Sequence, residues 1–484
     1  MLLGIFARKP LAVIQQEAGD EARGFHRSLT GWNLLLLGIG GVIGAGIFVL
    51  TGQASAQYAG PAIVLSFILS GLACTFAALC YAELAAMIPV AGSAYTYAYA
   101  TLGQLVAWII GWDLILEYLF GASTVAVGWS GYVVSFLKDF GIVVPAALSS
   151  APFNFIHGSG WVKTGALINL PAMLIVGLCT YLLYVGIKES AKFNNAIVVV
   201  KLTVLALFIV FGAMQVIPDN WVPFIPENTG QFGQYGWSGI FRGAGVIFFA
   251  YIGFDSVSAL AQETKNPQKD MPFGIIGSLF VCTLVYIAVA LVLTGIVRYD
   301  QLNVPDPIAV AVNAAGDSLR WLRPFIKIGA IAGLSSVVLV LLMAQPRILF
   351  SMSRDGLLPA ASAKIHPKYK TPYVSTVATG LLAGLVAGLF PIGVLGELVS
   401  IGTLLAFVLV CLGVLVLRVV EPDAHRPFRA PFVLPVSICG ALSALAQMLS
   451  LPWDTWLRLL LWMGLGLAIY ALYGRRHAKL NNSK

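Results

Sequence analysis

Gly38-Ile39-Gly40-Gly41-Val42-Ile43-Gly44-Ala45-Gly46 puts five glycines into nine residues in the middle of an apolar run. Glycine costs about 1 kcal/mol relative to alanine inside a helix, so a membrane-spanning helix would break here. Backbone unwound in a bilayer must pair its N–H and C=O groups or face a polar cavity. A half-helix beginning past the break would aim N–H groups and the positive end of its dipole at an anion such as a carboxylate. The competing reading is close packing, because Gly40-x-x-x-Gly44 is also a helix-contact spacing. A second stretch tips the balance. Gly243-Ala244-Gly245-Val246-Ile247-Phe248-Phe249-Ala250-Tyr251-Ile252-Gly253-Phe254-Asp255-Ser256 again places glycine and an acid at mid-span. If spans 1–5 and 6–10 form two halves, these stretches occupy equivalent positions, and paired interrupted helices of that kind point to a transporter binding site. Carbonyls freed in the second break would accept from an ammonium group, while the first break takes a carboxylate. A site holding both ends of a zwitterion is an amino-acid site.

The composition supports a membrane setting. Of 484 residues 59% are hydrophobic and 10% charged, against about 25% charged in soluble domains. Fifty glycines and 24 prolines in so apolar a chain fit transmembrane helices. An ordinary cytosolic enzyme, a disordered chain, collagen and a disulfide scaffold are excluded. Apolar stretches at 32–56, 61–87, 103–136, 165–187, 193–217, 237–262, 273–297, 325–350, 373–390, 395–417, 430–450 and 455–473 predict an all-α integral membrane protein with 12 transmembrane helices. Twelve crossings put both termini on one side. With that side cytoplasmic, 20 Lys and Arg fall inside and 8 outside, with Lys201 within the fifth span, so the termini are expected in the cytoplasm. The loops are too short to be domains; those around 138–164 and 298–324 have room for short surface helices. Six apolar residues before Arg8-Lys9 are too few for a signal-peptide core.

The net charge of +8 follows from the cytoplasmic loops, and no basic run tracks a phosphate backbone, so no nucleic-acid partner is expected. The six cysteines lie in apolar runs without a C-x-x-C pair. His26, His157, His366, His425 and His477 sit outside the spans and away from ligand spacing, so no metal site is expected. Lys201 lies eight residues into span five, about 12 Å from its cytoplasmic end at 1.5 Å per residue. It serves either as a fixed clamp, an ion pair or a grip on backbone carbonyls, or as a proton carrier, since burial disfavours the charged form. Glu117, with Asp113 one turn earlier, and Asp255, just past the second break, could relay protons, pair with Lys201 or attract a cationic side chain; the plainer role is a hydrogen-bonded structural acid. Glu83 and Glu263, near the cytoplasmic ends of spans two and six, read as gate or loop-anchoring groups.

Gly44-Ala45-Gly46 resembles the G-[STA]-G turn of the amino acid–polyamine–organocation (APC) superfamily. Pro89-Val90-Ala91-Gly92-Ser93-Ala94-Tyr95-Thr96-Tyr97, Glu263-Thr264-Lys265-Asn266-Pro267 and Ser353-Arg354-Asp355-Gly356-Leu357-Leu358-Pro359 are similar to further motifs of that superfamily. The likeness runs over nearly the whole chain and is nearest to bacterial relatives of the cationic amino acid transporters. It implies a five-plus-five inverted repeat over 32–418 with broken helices 1 and 6, two further helices within 419–474, a cytoplasmic N-terminal segment 1–31 and a tail 475–484. By that resemblance Ile43, Gly44, Ala45 and Gly46 would bind the substrate carboxylate. Phe249, Ala250 and Ile252 would offer carbonyls to the amine, with the Phe249 ring as a lid. Lys201 would take the place of a sodium ion, tie span one to span eight, and loosen that tie on losing its proton. Span eight would line the side-chain end of the pocket, and Leu341 or Leu342 there would favour a small neutral side chain over a long basic one.

The expected function is proton-coupled import of amino acids, small neutral and cationic ones both within range, by alternating access in the plasma (inner) membrane. The proton gradient is the driving force and no cofactor is needed. Lys201, Glu117 and Asp255 would carry the coupling. An exchanger or a sodium-coupled carrier on the same fold is the alternative, and a small single-span membrane partner fits the same class. A channel would need a polar pore or filter signature, and an enzyme a nucleophile–base or metal set; neither is visible.

Overall fold

The computed structural model describes residues 7–11, 13, 14, 16, 27–90, 92–156, 160–304 and 306–479. Much of the expected N-terminal segment, the end of the tail (480–484), Ala91 of the second motif and His157 therefore lie outside the described residues. Helices dominate: α1 (Gly31–Val42), α2 (Ile63–Met87), α3 (Gln104–Asp139), α4 (Leu170–Val185), α5 (Ile187–Ala213), α6 (Gly236–Ile247), α7 (Pro267–Ile296), α8 (Arg323–Arg354), α9 (Tyr373–Leu389), α10 (Ile392–Val420), α11 (Val433–Leu449) and α12 (Trp453–Ile469). Among the described residues, eight helical stretches are long and apolar enough to cross a membrane. One of them, Gly31–Met87, is 57 residues long and turns back at Gly60-Pro61, where Gly60 has φ +60°. Helices α4, α9 and α11 are apolar but shorter, at 16, 17 and 17 residues.

Local chemistry sets the ends. Thr30 and Asn33 form a capping box at the start of α1, with the Thr30 N–H donating to Asn33 Oδ1 at 3.1 Å. Proline stands in the first turn of α4, α7 and α8, where its missing N–H has no intrahelical partner to lose. Two loops differ from the sequence expectation. The segment around 138–164 holds one short helical turn, Ala146–Ser149, and then a small antiparallel pair, β1 (Phe153–Ile156) and β2 (Gly160–Lys163), with Phe155 opposite Trp161. Aromatic residues facing each other across strands favour that pairing over a helix. The fold is thus α-helical with one surface hairpin. The 298–324 loop does hold a helix, Pro307–Ala314.

Two helices stop mid-bundle, side by side. α1 ends at Val42, where Ile43 turns extended (ψ 98°), and helical structure resumes at Gly46–Leu50 in a wider π turn. α6 tightens into a 3-10 turn at Phe248–Tyr251, runs extended through Ile252, passes Gly253 at φ +117°, and continues as a 3-10 helix over Asp255–Glu263. The breaks touch backbone to backbone: a Cβ on Gly253 would lie 2.8 Å from the Gly41 carbonyl, and one on Gly46 would overlap Ala250. Gly38 and Gly40 instead remain helical and seat Ser278 of α7 and Asn194 of α5 against the α1 backbone. Close packing therefore holds for the first glycines of the stretch and breakage for the last.

A Gly253→Ala chain meets both a left-handed φ and backbone with no freedom to move, and should lose about 1–3 kcal/mol with a clearly lowered melting temperature in detergent. Gly131, in α3 with no neighbour within 4 Å, is the control: Gly131→Ala should melt at the same temperature or higher. Equal melting of the two variants would contradict the contact between the breaks.

Candidate functional site

A small pocket lies at the two breaks, lined by Gly41, Val42, Gly44, Ala45, Gly46, Val125, Phe249, Ile252, Val337 and Leu341. Of the residues expected from sequence, Gly44, Ala45, Gly46, Phe249, Ile252 and Leu341 line it; Ile43, Ala250 and Leu342 do not. The N–H groups of Gly44, Ala45 and Gly46 donate no backbone hydrogen bond among the described residues, whereas the Gly44 carbonyl accepts from Ile47 and Phe48. The break thus presents unpaired donors at the start of a helical segment, the arrangement that attracts an anion. The Ala250 carbonyl, expected to hold an amine, already accepts the Tyr286 hydroxyl at 2.7 Å, and the Ile43 carbonyl accepts Lys201. Those two residues shape the break through their backbone, with their carbonyls taken by Lys201 and Tyr286. The far wall is apolar throughout: Val125 from α3, Val337 and Leu341 from α8. Val125 and Val337 were missed, because nothing in an apolar run tells which of its members turns toward the centre. Leu341, not Leu342, is the leucine that faces the pocket.

Lys201 is fully buried in α5. Its Nζ donates to the carbonyls of Ile39 (3.0 Å), Gly40 (2.9 Å) and Ile43 (2.9 Å) and to Ser336 Oγ (2.9 Å). It therefore grips the C-terminal end of α1, where the helix dipole is negative, and ties it to α8. The alternative of a pair with Glu117 or Asp255 is corrected: all four bonds go to neutral oxygens, since the break supplies carbonyls that would otherwise be orphaned. Tyr286 of α7 completes the grip, donating to both Val42 and Ala250 carbonyls at 2.7 Å and so bridging the two breaks. Sequence reasoning missed Tyr286, although a hydroxyl in mid-span must find a buried acceptor and so was a usable signal.

Glu117 and Asp255 are both fully buried and electrostatic neighbours, with Asp113 beside Glu117. Asp255 accepts the Tyr118 hydroxyl at 2.6 Å and the Gly253 N–H at 3.3 Å, holding the strained turn of the second break. Neither oxygen of Glu117 or Asp113 has a hydrogen-bond partner among the described residues. The Thr403 hydroxyl beside Glu117 turns instead to the Val399 carbonyl at 3.0 Å. None of the three carboxyls lines the pocket.

A wider vestibule of about 150 Å³ adjoins the pocket and shares Ala45 and Phe249 with it. Phe249 thus stands between the two, where a lid would. The vestibule opens toward the far end of the Gly31–Met87 stretch (Gln53, Gln57, Tyr58), the start of α6 (Arg242) and the start of α10 (Glu397). At the opposite ends of the same helices the chain is tied shut. Glu263 pairs with Arg347 at 2.9 Å, both nearly inaccessible, and Ser93 meets Ser258 at 2.6 Å. Asp355 takes Lys9 at 2.5 Å and Tyr95 at 2.6 Å. Glu83 receives Arg418 at 2.7 Å, Arg426 at 3.4 Å and the Ala430 N–H at 2.8 Å. Three motifs far apart in sequence, 89–97, 263–267 and 353–359, thereby converge on one face.

The sequence pattern of the family described as amino acid permease matches residues 29–465. The methylthioribose transporter of Bacillus subtilis (strain 168) is 47% identical over 477 residues, covering 99% of each chain. The branched-chain amino acid permease of the same organism is 48% identical over 480 residues, again 99% of each. The vacuolar cationic amino acid transporter 4 of Arabidopsis thaliana is 39% identical over 417 residues, 86% of this chain and 67% of that one. With its broken helices packed around one pocket, the chain belongs to the amino acid permease family of the APC superfamily, as a multi-pass membrane transport protein.

Proposed function

We propose that this permease imports neutral, aliphatic amino acids together with protons across the cell membrane. On this reading twelve helices form a five-plus-five inverted repeat followed by two more, the termini are cytoplasmic, and the vestibule faces outward. The observation that carries it is the pocket where unpaired N–H groups of Gly44, Ala45 and Gly46 meet the extended Ile252 backbone of the second break and an apolar wall of Val125, Val337 and Leu341. The donors suit a carboxylate, the Ile252 carbonyl suits an ammonium, and the wall suits a branched hydrocarbon side chain rather than a basic one. Glu117 and Asp255 stand away from that wall, which weighs against cationic substrates. The name of the 48%-identical relative points the same way. The 47%-identical relative named for methylthioribose supports a second reading, in which the apolar wall takes a methylthio group and the backbone donors take hydroxyls.

Coupling rests on Lys201. Protonated, it gives three donors to α1 and Ser336; deprotonated, it leaves at least one freed carbonyl without a donor and loosens α1 from α8. Glu117 and Asp255, both buried near the second break, would assist. A resident sodium ion would compete with the ammonium for the same carbonyls, so the sodium-coupled alternative is disfavoured.

Two measurements test this. Leucine, isoleucine and valine at saturating concentration should raise the melting temperature of the purified protein, while arginine and lysine should not. Methylthioribose belongs in the same screen, and stabilisation by it alone would replace the amino-acid reading. In proteoliposomes, Lys201→Met should reduce uptake driven by an inward proton gradient at least about tenfold and remove its pH dependence, the melting curve serving as the folding control. Unchanged proton-driven uptake in a folded variant would take Lys201 out of the mechanism.

A further inference from the structure

On the outside of the bundle, α6 and α11 part to leave an open groove of about 420 Å³, with Phe232, Trp237 and Phe241 on one side and Ala446 and Leu449 on the other. The two helices meet at its floor, where Gly245 sits against Ser450 and the Gln447 carbonyl. Phe232, Trp237 and Leu449 are exposed although large and apolar, and Trp237 stands at the start of its helix, where interfacial aromatics collect. Below the groove α11 continues the apolar surface with Leu445 and Leu442, exposed on the same stripe as Leu449. Arg242 borders the groove: Phe241 beside it lines the wall, and its guanidinium lies 5.9 Å from the Phe232 ring. Arg242 stands six residues into α6, about 9 Å from the helix start. Its side chain nevertheless runs along Gly233, where an added Cβ would fall 3.1 Å from the Arg242 Cβ, Cγ and Nε. The charge is thereby carried back toward the level of Trp237, where the headgroups of a bilayer lie. Arg242 makes no ion pair and no side-chain hydrogen bond among the described residues, and its Nε is inaccessible. The Phe232 ring steadies this cation without neutralising it.

We infer that this groove holds an anionic glycerophospholipid, its phosphate on the Arg242 guanidinium and one acyl chain between α6 and α11. A guanidinium matches a phosphate with two parallel N–H···O bonds. The aromatic walls and the leucine stripe of α11 match a hydrocarbon chain that descends from that phosphate. A soluble anion would use the arginine alone and leave the walls bare. A lipid with a choline headgroup brings its own cation to the phosphate, so it gains less from Arg242 than a lipid of net negative charge. Arg242 also lines the vestibule. A bound phosphate would therefore neutralise a cation at the entrance to the pocket, and the lipid composition of that leaflet would set the charge there. This binding is independent of which solute the pocket carries.

Native mass spectrometry of the delipidated full chain tests this, with phosphatidylglycerol and phosphatidylcholine of identical acyl chains titrated in separately. The first phosphatidylglycerol should bind the wild-type protein about tenfold or more tighter than the first phosphatidylcholine, the gain expected for a charge-assisted pair. Arg242→Gln should bring phosphatidylglycerol down to the level of phosphatidylcholine, while Arg242→Lys, which keeps the charge, should retain part of the preference. Ala446→Phe fills the groove without touching the charge and should weaken both lipids, so the site stays testable if the Gln variant fails to fold. Equal affinities in the wild type overturn the proposal. A preference that Arg242→Gln leaves unchanged overturns it as well, because the anionic lipid then sits on other basic residues. Inorganic phosphate is the third arm: if it displaces phosphatidylglycerol at millimolar concentration, Arg242 holds a free anion and the lipid assignment falls.

Discussion

A helix broken inside a bilayer leaves carbonyl groups that neither water nor its own turns can satisfy, and Lys201 is this protein's answer to that constraint. Three carbonyls at the end of α1, those of Ile39, Gly40 and Ile43, converge on one ammonium group. The next carbonyl, Val42, is taken by Tyr286, and that of Leu36 by Asn194. Ile39 also accepts the Ile43 N–H and Gly40 the Ser336 hydroxyl, but the Ile43 and Val42 carbonyls have Lys201 and Tyr286 as their donors, and leaving each of those two buried acceptors unpaired would cost on the order of 1–3 kcal/mol. The break therefore exists because α5 and α7 supply donors at its level. Everything the pocket needs, three unpaired N–H groups on one side and an extended α6 backbone on the other, follows from holding the chain open at that level.

The glycine stretch shows why one motif can support two readings at once. Gly38 and Gly40 are used for what they lack, a side chain, so that α7 and α5 approach the α1 backbone. Gly44 and Gly46 are used next to the break, where Val337 and Ala250 close in. Gly253 alone among the residues of the second break needs a left-handed φ. The two breaks are consequently fitted to each other. A side chain added to either one pushes on the other, so the pair behaves as one unit of structure.

How much of this the sequence could reveal depended on whether a residue's role was local or spatial. The spans, the mid-membrane breaks and an oddly placed lysine are local facts: each contradicts its apolar surroundings and can be seen without knowing the neighbours. The facing of Leu341 over Leu342, and the parts of Val125 and Val337, depend on helix rotation, which a uniformly apolar run does not encode. Tyr286 was hidden for a different reason, since its ring suits lipid and core alike and only its hydroxyl shows a need for a partner. The carboxyls were visible as anomalies, yet their grouping was not. Glu117 and Asp255 lie 138 positions apart in the chain, and only the packing of α3 against the end of the second break makes them neighbours, with Lys201 kept apart by α1.

The two ends of the bundle also differ in how they are closed, and the difference bears on mechanism. One end is held by ion pairs whose members are mostly buried: Arg347 with Glu263, and Glu83 between Arg418 and Arg426. Removing one partner from such a pair is costly, because it leaves an uncompensated charge, whereas separating both partners into water restores their hydration. Pairs of this kind resist partial opening but tolerate complete opening. The other end has the vestibule, where Arg242 forms no ion pair among the described residues and Phe249 is the barrier. If this permease works by exposing its pocket to each side in turn, the tied end must open as a whole, all its pairs wetted together, while the lid end can yield by moving a single ring. That asymmetry gives a transporter with a light door on one side and a cooperative lock on the other. It also explains why the three motifs of the tied end are built around charged and hydroxyl side chains rather than the apolar contacts that fill the rest of the bundle.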